Sequence, residues 1–494
     1  MKNVFMIVHE LDVNKGGMTT AMLERSKEFY NSGINADVIT FDFKTNYNVI
    51  IDQLIKQGKM DSRTKMINMF NFFEEKSSSI RNKTNKKIYK VFKLLFKDTI
   101  QVQETKNISR YFNSFTGQYI AFKKESKNKN SYIIDTFNNN SRKERFYFFD
   151  DKVVKKDVFN NENKVICEVF FDKNSFPYLS RNLSPVSGAI GSIYLLSENK
   201  QFKNNIELST FFIESIVKDS EKNVLICDGP GSFPKMLNTS FNKVKKFAVI
   251  HVNHFKNFDD NGSVKKQENY IIENADNIDG VIVLTEAQKI DIIEQYKVKN
   301  IFVISNFIKN PDKIIDKVPN KKIGHISRMV VTKGINYLIE VAEQVVKVDN
   351  EVIFEIYGEG PEKENIENLI SDKMLNANVK LMGYTSKTSE VINTFDCVIS
   401  TSQYEGQGLS MIEAMLHRKP LIAFDINYGP KDFLVNDFNG YLIENRNIIA
   451  MSEQILNLIQ NPEKLLRLGY NAEETILNLY DSKKIMNKWK EILF

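Results

Sequence analysis

The stretch that decides the fold is KIGHISRMVVTKGI, which spans residues 322–335. It begins as a short, largely apolar run, continues as a loop that carries Arg328 and Lys333, and enters an amphipathic pattern at Ile335. This order predicts a strand, a loop and a helix, the repeating unit of a parallel α/β sheet. Such a junction offers backbone N–H groups and the positive end of a helix dipole to an anion. Two cations in that loop are suited to bind a diphosphate. The alternative is that Arg328 and Lys333 are ordinary surface cations in contact with water.

The same pattern of strand and helix recurs on both sides of this stretch. In the second half, apolar runs predict further buried strands at Ile301–Ile304, Val352–Tyr357, Val379–Met382, Cys397–Ser400 and Pro420–Phe424. The first half opens with an apolar run and a Gly-Gly loop, and its strands are predicted at Val4–Val8, Val224–Cys227, Phe247–His251 and Gly280–Leu284. Two doubly wound domains of this kind place a ligand cleft between the carboxyl ends of their strands.

The segment from about residue 78 to residue 207 has a different pattern. Short runs rich in β-branched and aromatic residues alternate there with polar turns, for example at Glu144–Phe149 and Val165–Phe171. This spacing predicts an antiparallel β insertion in the first domain. No helical layer is apparent for it, so we expect its sheet to have edges and an apolar face that self-association covers.

These patterns divide the chain into four parts. We predict an N-terminal Rossmann-like domain of residues 1–77 and 208–306, a β-rich insertion of residues 78–207, a C-terminal Rossmann-like domain of residues 307–480, and a C-terminal helix of residues 481–494 that packs back on the N-terminal domain.

Composition limits the class of protein. Of the 494 residues, 42% are hydrophobic and 26% are charged, which supports several cores and excludes a generally disordered chain. No apolar run is long enough for a membrane-spanning helix, and Val4–Val8 is too short for the core of a signal peptide. The three widely spaced cysteines argue against a disulfide framework and against a cysteine-rich metal site. We expect a cytoplasmic protein.

Positive charge is concentrated in one segment. The net charge is +6, but Lys76–Asn130 alone holds 14 Lys and Arg against 3 Asp and Glu. Such a segment attracts polyanions or the anionic inner face of a membrane, and an ordinary solvated face is the alternative. No nucleic-acid-binding motif accompanies the charge, so we expect no nucleic-acid partner.

A second constellation follows the predicted strand at Cys397–Ser400. It reads EGQGLSMIE and places Glu405 on a loop and Glu413 in an early helix turn, with the backbone N–H groups of Gln407–Ser410 between them available to a phosphate. The alternative is a solvated loop acid and an acid that complements a helix N-terminus. Glycines follow two further strands, at Gly358 and next to Tyr384.

Together these loops resemble the retaining GT-B glycosyltransferases. The segments His9–Gly17, Asp228–Lys235 and Val249–His254 narrow the resemblance to the wall teichoic acid α-glycosyltransferases, and it covers essentially the whole chain. That family includes poly(ribitol-phosphate) α-N-acetylglucosaminyltransferases and poly(glycerol-phosphate) α-glucosyltransferases. The resemblance implies two Rossmann-like domains with a central cleft, the first for the acceptor and the second for the nucleotide sugar. It also implies that the β insertion is an oligomerisation hub, which suggests a homotrimer.

The resemblance also implies roles for individual residues. The catalytic residues would be Glu405 beside the donor sugar, Arg328 and Lys333 on the diphosphate, and His251 on the transferred sugar. Glu413 would accept hydrogen bonds from the ribose hydroxyls. The full set of residues implied to bind the nucleotide sugar is Gly17, Arg328, Lys333, Gly358, Tyr384, Glu405, Gln407, Gly408, Leu409, Ser410 and Glu413.

The expected reaction is α-glycosyl transfer from a UDP-sugar to polyol-phosphate units of wall teichoic acid. The chain contains no Asp-x-Asp motif, so we expect a metal-independent enzyme without a cofactor, in which Arg328 and Lys333 replace the metal ion. By resemblance only, we favour glucose over N-acetylglucosamine, on poly(glycerol phosphate). Two alternatives stay open: another retaining transferase, such as one that modifies surface-protein serines, and a non-catalytic scaffold that binds nucleotide sugars.

Overall fold

The computed structural model describes residues 2–13, 16–80, 85–126, 130–256, 262–311, 313–316 and 318–494. Residues 81–84 and 127–129 of the basic segment therefore lie outside the described residues. The chain begins as β1 (Asn3–Ile7), α1 (Met18–Asn31), β2 (Asn35–Thr40), α2 (Tyr47–Lys56), β3 (Met66–Asn68) and α3 (Met69–Ile80).

The insertion follows as one helix and ten strands. These are α4 (Lys86–Leu95), β4 (Thr99–Thr105), β5 (Ile108–Asn113), β6 (Tyr119–Glu125), β7 (Ser131–Asn138), β8 (Ser141–Phe149), β9 (Lys152–Phe159), β10 (Val165–Phe171), β11 (Pro177–Leu183), β12 (Ile190–Leu195) and β13 (Lys200–Phe202). The strands form one antiparallel sheet in which sequence neighbours pair. Asn139 and Asn140 both have positive φ between β7 and β8, the conformation that a tight hairpin requires and that Asn tolerates.

Helix α4 covers part of this sheet. The Phe92 ring packs edge-on against Phe146 and Phe148, with ring centroids 4.8 and 5.2 Å apart. The expectation that the insertion has no helical layer of its own is therefore wrong. This short helix lies immediately before the first strand of the insertion, and its apolar residues Ile88, Phe92 and Leu95 pack in the core beneath the sheet.

The N-terminal domain then resumes. Its elements are α5 (Asn205–Ile216), β14 (Asn223–Cys227), α6 (Phe233–Leu237), β15 (Lys245–Val249), α7 (Lys266–Glu273), β16 (Gly280–Val283), α8 (Glu286–Tyr296) and β17 (Ile301–Val303). A seven-stranded parallel sheet has the order β17-β16-β15-β14-β1-β2-β3. Strand β15 ends two residues earlier than predicted, because the chain leaves the sheet after Ile250 makes its bond to Ile282 O. His251 is therefore a loop residue.

The second domain alternates strands and helices to the end of the chain. Its elements are β18 (Lys322–Ile326), α9 (Ile335–Val348), β19 (Ile353–Tyr357), α10 (Lys363–Asp372), β20 (Val379–Gly383), α11 (Thr388–Ile392), β21 (Cys397–Ser400), α12 (Leu409–Leu416), β22 (Leu421–Phe424), α13 (Pro430–Phe433), β23 (Gly440–Ile443), α14 (Ile448–Ile459), α15 (Pro462–Leu479) and α16 (Ser482–Leu493). The six-stranded parallel sheet has the order β20-β19-β18-β21-β22-β23. Because β19, β18 and β21 are neighbours, the loops after them meet at one sheet edge.

The last helix packs on the N-terminal domain. Trp489 of α16 is buried, and its ring meets Phe29 of α1 edge-on at a centroid distance of 5.6 Å. Lys245 Nζ, in β15, donates to Ile492 O over 3.0 Å. These contacts tie the end of the chain to the first domain.

The predicted α/β fold, with two parallel sheets and a separate antiparallel insertion, is confirmed. The central parallel strands, such as β14, β16, β21 and β22, are buried on both faces, which explains why they are continuous apolar runs in the sequence. Within the described ranges, no helix is both long and apolar enough to span a bilayer.

Phe170 offers a test of how the insertion is attached. It is fully buried where β10 meets the N-terminal domain, with ring centroids 5.0 Å from Phe43 and 4.7 Å from Phe70. Phe170→Ala should lower the free energy of unfolding by about 3–5 kcal/mol in urea titrations, because it leaves a cavity between insertion and domain. Val186→Ala, at an exposed position of the insertion, is the control, with an expected change within about 0.5 kcal/mol. Equal stability of the two variants would contradict this packing.

Candidate active site

The carboxyl edges of the two parallel sheets face each other, and a glycine lies at the point of contact. A Cβ atom built on Gly406, in the loop after β21, would be 2.0 Å from His251 O in the loop after β15. Asn253 Nδ2 donates across the same boundary to Asn427 O over 3.2 Å. The two loops therefore touch backbone to backbone, and residues of both domains line one cleft.

Lys333 and Glu405 form an ion pair in this cleft. Lys333 Nζ lies 2.5 Å from Glu405 Oε1, and Ser402 Oγ donates to the same oxygen over 2.8 Å. Their side chains are only 18% and 13% exposed. The approach of the two loops requires Gly334, which has φ +58° and whose Cβ would lie 2.1 Å from Thr401 O. Two residues 72 positions apart in sequence are thus brought together, as the sheet order predicts.

Arg328 lies on the same loop as Lys333 but is exposed. Its carbonyl accepts from Val330 N over 3.0 Å, but its guanidinium forms no hydrogen bond or ion pair with any residue that the structure describes. The loop after β19 packs closely beneath it, since a Cβ on Gly358 would be 1.8 Å from Ser327 O. Gly358 N in turn donates to Gly383 O over 2.9 Å, which places Tyr384 beside this loop with a side chain 63% exposed. The Arg328 guanidinium is therefore available to an anion, and it lies on the same loop as Lys333, whose charge is partly neutralised by Glu405.

The turn that begins α12 carries the Gln407–Ser410 loop. Gly408 precedes the helix in the left-handed conformation at φ +84°, and the leading N–H groups of the helix that follows have no acceptor within it. Oε1 of the buried Gln407 side chain accepts from Asn306 Nδ2 over 2.8 Å, so this oxygen is already engaged within the protein. Ser410 lines one small recess together with Glu405, Ser327 and His325, and Leu409 is half-buried beside it.

Glu413 lies one turn further into α12 and is half-buried. Burial raises the pKa of its carboxyl to about 7, far above the usual value for a glutamate. Its position, the fifth residue of the helix, is beyond the first turn, where an acid complements the helix dipole. A carboxyl buried at this cost without a cation is typical of a group kept for a ligand.

His251 is held by a carboxylate that sequence analysis leaves without a role. Its Nε2 lies 2.8 Å from Oδ1 of Asp228, which follows β14. Asp228 is fully buried and also forms a salt bridge with Arg25 of α1. Burial by itself raises the pKa of Asp228, but Arg25 and His251 outweigh it and hold that pKa below the usual value. The signal for Asp228 is its place directly after a buried strand; Arg25 has none, because it lies mid-helix.

One predicted binding residue, Gly17, has open space on the side where a side chain would lie. Gly17 precedes α1 with φ +42°, and nothing lies within 4 Å of a Cβ built there. His325, which sequence analysis leaves unassigned, bonds Ile399 O and Ser327 Oγ, and burial lowers its pKa to about 4. It therefore serves as a neutral link between β18 and β21. Within the described part of the chain, no three His, Cys, Asp or Glu side chains converge as metal ligands do.

Comparison with known proteins assigns this architecture. The family model "Glycosyl transferases group 1" matches residues 306–475. A poly(ribitol-phosphate) α-N-acetylglucosaminyltransferase of Staphylococcus aureus (strain COL) is 53% identical over 489 residues, which cover 99% of each chain. The chain belongs to the wall teichoic acid α-glycosyltransferases. It is thus a retaining, UDP-sugar-dependent glycosyltransferase, and the predicted family and GT-B fold are confirmed.

Two further comparisons extend this result. The transferase is 26% identical to a poly(glycerol-phosphate) α-glucosyltransferase of Bacillus subtilis (strain 168), over 92% of this chain and 70% of the relative. It also matches the crystal structure of the S. aureus TarM G117R mutant in complex with fondaparinux, α-GlcNAc-glycerol and UDP. That match has a TM-score of 0.95 and 52% identity, and it covers both chains completely.

Glu413→Gln tests the burial of this carboxyl in the ligand-free transferase. With a folded pKa of about 7 the native state keeps its proton where the unfolded chain has lost it, so wild-type stability falls between about pH 4.5 and pH 7. Removing the charge should therefore raise the free energy of unfolding at pH 8 by about 2–3 kcal/mol relative to wild type, with little difference at pH 4.5.

Urea unfolding at the two pH values measures this effect. Glu364→Gln, at an exposed position of α10, is the matched control and should change neither value. A stability difference for Glu413→Gln that is the same at both pH values would show that the carboxyl is not desolvated.

Proposed function

We propose that this transferase moves N-acetylglucosamine from UDP-N-acetylglucosamine to ribitol-phosphate units of wall teichoic acid, with retention, to give an α-linked sugar. The observation that carries this proposal is the 53% identity, over the full length, to an enzyme named for that donor sugar and that acceptor. The preference for glucose on poly(glycerol phosphate) rested on resemblance alone, and the relative named for that reaction is only 26% identical. We therefore abandon it.

The leaving group is the first requirement of the reaction. UDP departs with negative charge that grows on its diphosphate, and a fixed cation stabilises such charge best in a site with little water. The Arg328 guanidinium is exposed, and Lys333 is paired with one oxygen of Glu405. Both cations can therefore contact a diphosphate placed at the edge of β18. We propose that these two cations, with the N–H groups at the start of α12, serve in place of a metal ion.

Retention is the second requirement. A double displacement needs a free carboxylate beneath the anomeric carbon. Oε1 of Glu405 is occupied by Lys333 and Ser402, so we assign Glu405 to orienting the donor rather than to nucleophilic attack. In the same-face alternative, the acceptor oxygen bonds to C1 while the bond from C1 to the phosphate oxygen breaks. The acceptor proton passes to that phosphate oxygen, which balances the step.

The acceptor is a polyanion, and the basic segment suits it. The described parts of Lys76–Asn130 lie at the end of α3, on α4 and on β4 to β6. Strands β4 to β6 form one end of the ten-stranded sheet, whereas Lys76 of α3 pairs with Glu198 near the other end. The TarM structure in complex with fondaparinux, a polyanion, supports an anionic ligand for this architecture. We propose that the segment holds the polymer. We also propose that the enzyme works in the cytoplasm, with the inner face of the membrane as a second anionic surface for the same lysines.

Release of UDP from each donor with each acceptor tests the function. The donors are UDP-N-acetylglucosamine and UDP-glucose; the acceptors are poly(ribitol phosphate), poly(glycerol phosphate) and a serine-rich peptide. We expect the highest kcat/KM for UDP-N-acetylglucosamine with poly(ribitol phosphate). Preference for the peptide would make the chain a protein glycosyltransferase, and no turnover with any pair would make it a nucleotide-sugar-binding scaffold.

Metal independence makes a second prediction. Turnover should persist in excess EDTA, and Lys333→Met should lower kcat by about 10²–10³-fold, the usual result of removing one group that stabilises a developing charge. Lys347→Met is the control, because Lys347 forms an ion pair on an exposed face of α9 and should leave kcat unchanged. Loss of turnover in EDTA that Mg²⁺ or Mn²⁺ restores would refute the assignment.

Self-association through the insertion is a third expectation, and we propose a homotrimer. β4 is an edge strand whose residues beyond Thr99 are all exposed, including the apolar Ile100 and Val102. An exposed edge of this kind is a template for pairing with another copy, and closed cyclic symmetry is the usual outcome. Light scattering should give a trimer for the full chain and a smaller species for Ile100→Lys/Val102→Lys. A monomeric wild type at micromolar concentration would rule out the hub.

A further inference from the structure

A chain of four side chains leads from the C-terminal helix to the cleft. His251 is bonded to Asp228, Asp228 to Arg25, and the Arg25 guanidinium lies 5.0 Å from the ring centroid of Trp489 in α16. Three of the four are almost completely buried, with Asp228 at 0%, Trp489 at 2% and Arg25 at 3% exposure. Sequence analysis gives none of Asp228, Arg25 and Trp489 a function.

The burial of Asp228 determines which atom of His251 carries a proton. A carboxylate without water needs a partner charge, and Arg25 supplies it, so that Asp228 stays ionised. An ionised carboxylate only accepts hydrogen bonds. The 2.8 Å contact therefore requires a proton on Nε2 of His251, and in the neutral imidazole this leaves a lone pair on Nδ1.

The free nitrogen is the one that can serve a ligand. Among the described residues, none forms a hydrogen bond with Nδ1 of His251. The same residue's carbonyl lies against Gly406, next to Glu405, so His251 is at the boundary of the cleft, with a side chain 7% exposed. A lone pair at that boundary is suited to accept a hydrogen bond from a sugar hydroxyl.

Arg25 also contacts a residue of the C-terminal helix α16, which lies outside the N-terminal domain. Its guanidinium is covered by Trp489, which belongs to α16 and also packs on Phe29 of the same helix as Arg25. Cation–π contact of this kind favours the charged guanidinium and fixes its plane. Helix α16 thus covers the buried site in which Asp228 stays ionised.

We propose that Asp228 is the positioning residue for His251: with Arg25 as its counter-charge under Trp489, it fixes the Nε2–H tautomer and presents Nδ1 to a hydroxyl of the transferred sugar. This inference rests on the proposed function, because it needs a sugar donor in the cleft. An ordinary structural ion pair is the competing explanation, and it predicts a cost that does not depend on His251.

A double-mutant cycle separates the two explanations. Asp228→Asn should lower kcat for UDP-N-acetylglucosamine with poly(ribitol phosphate) by about 10- to 100-fold, the usual effect of losing a residue that orients an active-site histidine. The affinity for UDP, measured by calorimetry, should stay within about twofold. In a His251→Asn background, Asp228→Asn should have almost no further effect on kcat, because the group through which it acts is gone. Multiplicative losses, or wild-type kcat in Asp228→Asn, would overturn the proposal.

A second variant protects the test against misfolding. Asp228→Asn leaves Arg25 buried without a counter-charge, whereas Arg25→Gln/Asp228→Asn removes both charges and keeps the side chains polar. The pair should fold, as judged by its melting temperature and UDP binding, and should show the same loss in kcat; full activity would overturn the proposal. Glu473→Gln, which breaks the ion pair with Arg418 in the second domain, is the control and should keep wild-type kcat.

The outcome for the wild type distinguishes the two proposals. If wild type does not turn over UDP-N-acetylglucosamine, the proposed donor is wrong, and the cycle is measured with UDP-glucose. If wild type is active and the losses multiply, the donor stands and the role of Asp228 is wrong.

Discussion

The contact between Gly406 and the backbone of His251 sets the geometry of the candidate active site. Each domain carries only part of the proposed site: the second supplies Arg328, Lys333 and Glu405, and the first supplies His251. A side chain at position 406 would meet the His251 carbonyl oxygen at 2.0 Å, closer than real Cβ atoms approach. Only glycine allows the two sheet edges to come close enough for one sugar to touch both.

The site also depends on how its charges are shared. Lys333 and Glu405 neutralise each other at the edge of the second sheet, and Arg25 and Asp228 do so inside the first domain. Breaking either pair leaves a desolvated charge, which is far more costly than losing an exposed ion pair. Arg328 is the exception, because it is exposed and open to an anion. In the proposed function, Arg328 is thus open to the diphosphate, and Lys333 contacts the diphosphate while it stays paired with Glu405.

Sequence analysis predicted the second domain well because parallel strands covered on both faces are continuous apolar runs. Lys322–Ile326 and Cys397–Ser400 were predicted with the bounds that the structure shows. In the insertion, by contrast, half-exposed antiparallel strands alternate with polar residues, so only part of the ten strands is visible as apolar runs. Helix α4 has apolar residues at helical spacing, Ile88, Phe92 and Leu95, but this local pattern does not show that the helix packs on the insertion sheet.

In the candidate site, too, some residues were predictable from the sequence and others were not. Arg328, Lys333, Glu405 and Glu413 are recognisable because they follow strands at motif spacing, and their catalytic roles remain predictions. The pair formed by Arg25 and Asp228 is separated by 203 residues, and no periodicity connects the two. The raised pKa of Glu413 depends on tertiary burial, which a local pattern does not reveal.

The most direct test of this account is the turnover of Gly406→Ala. UDP binds to the second domain in this account, so calorimetry should give a UDP affinity within about twofold of wild type. The added Cβ should hold the domains apart and lower kcat by at least about tenfold, since small misplacements at a reacting centre have large effects. Gly191→Ala, where a Cβ meets its nearest neighbour at 3.7 Å, should keep wild-type kcat. Wild-type turnover in Gly406→Ala would contradict a site assembled by that contact.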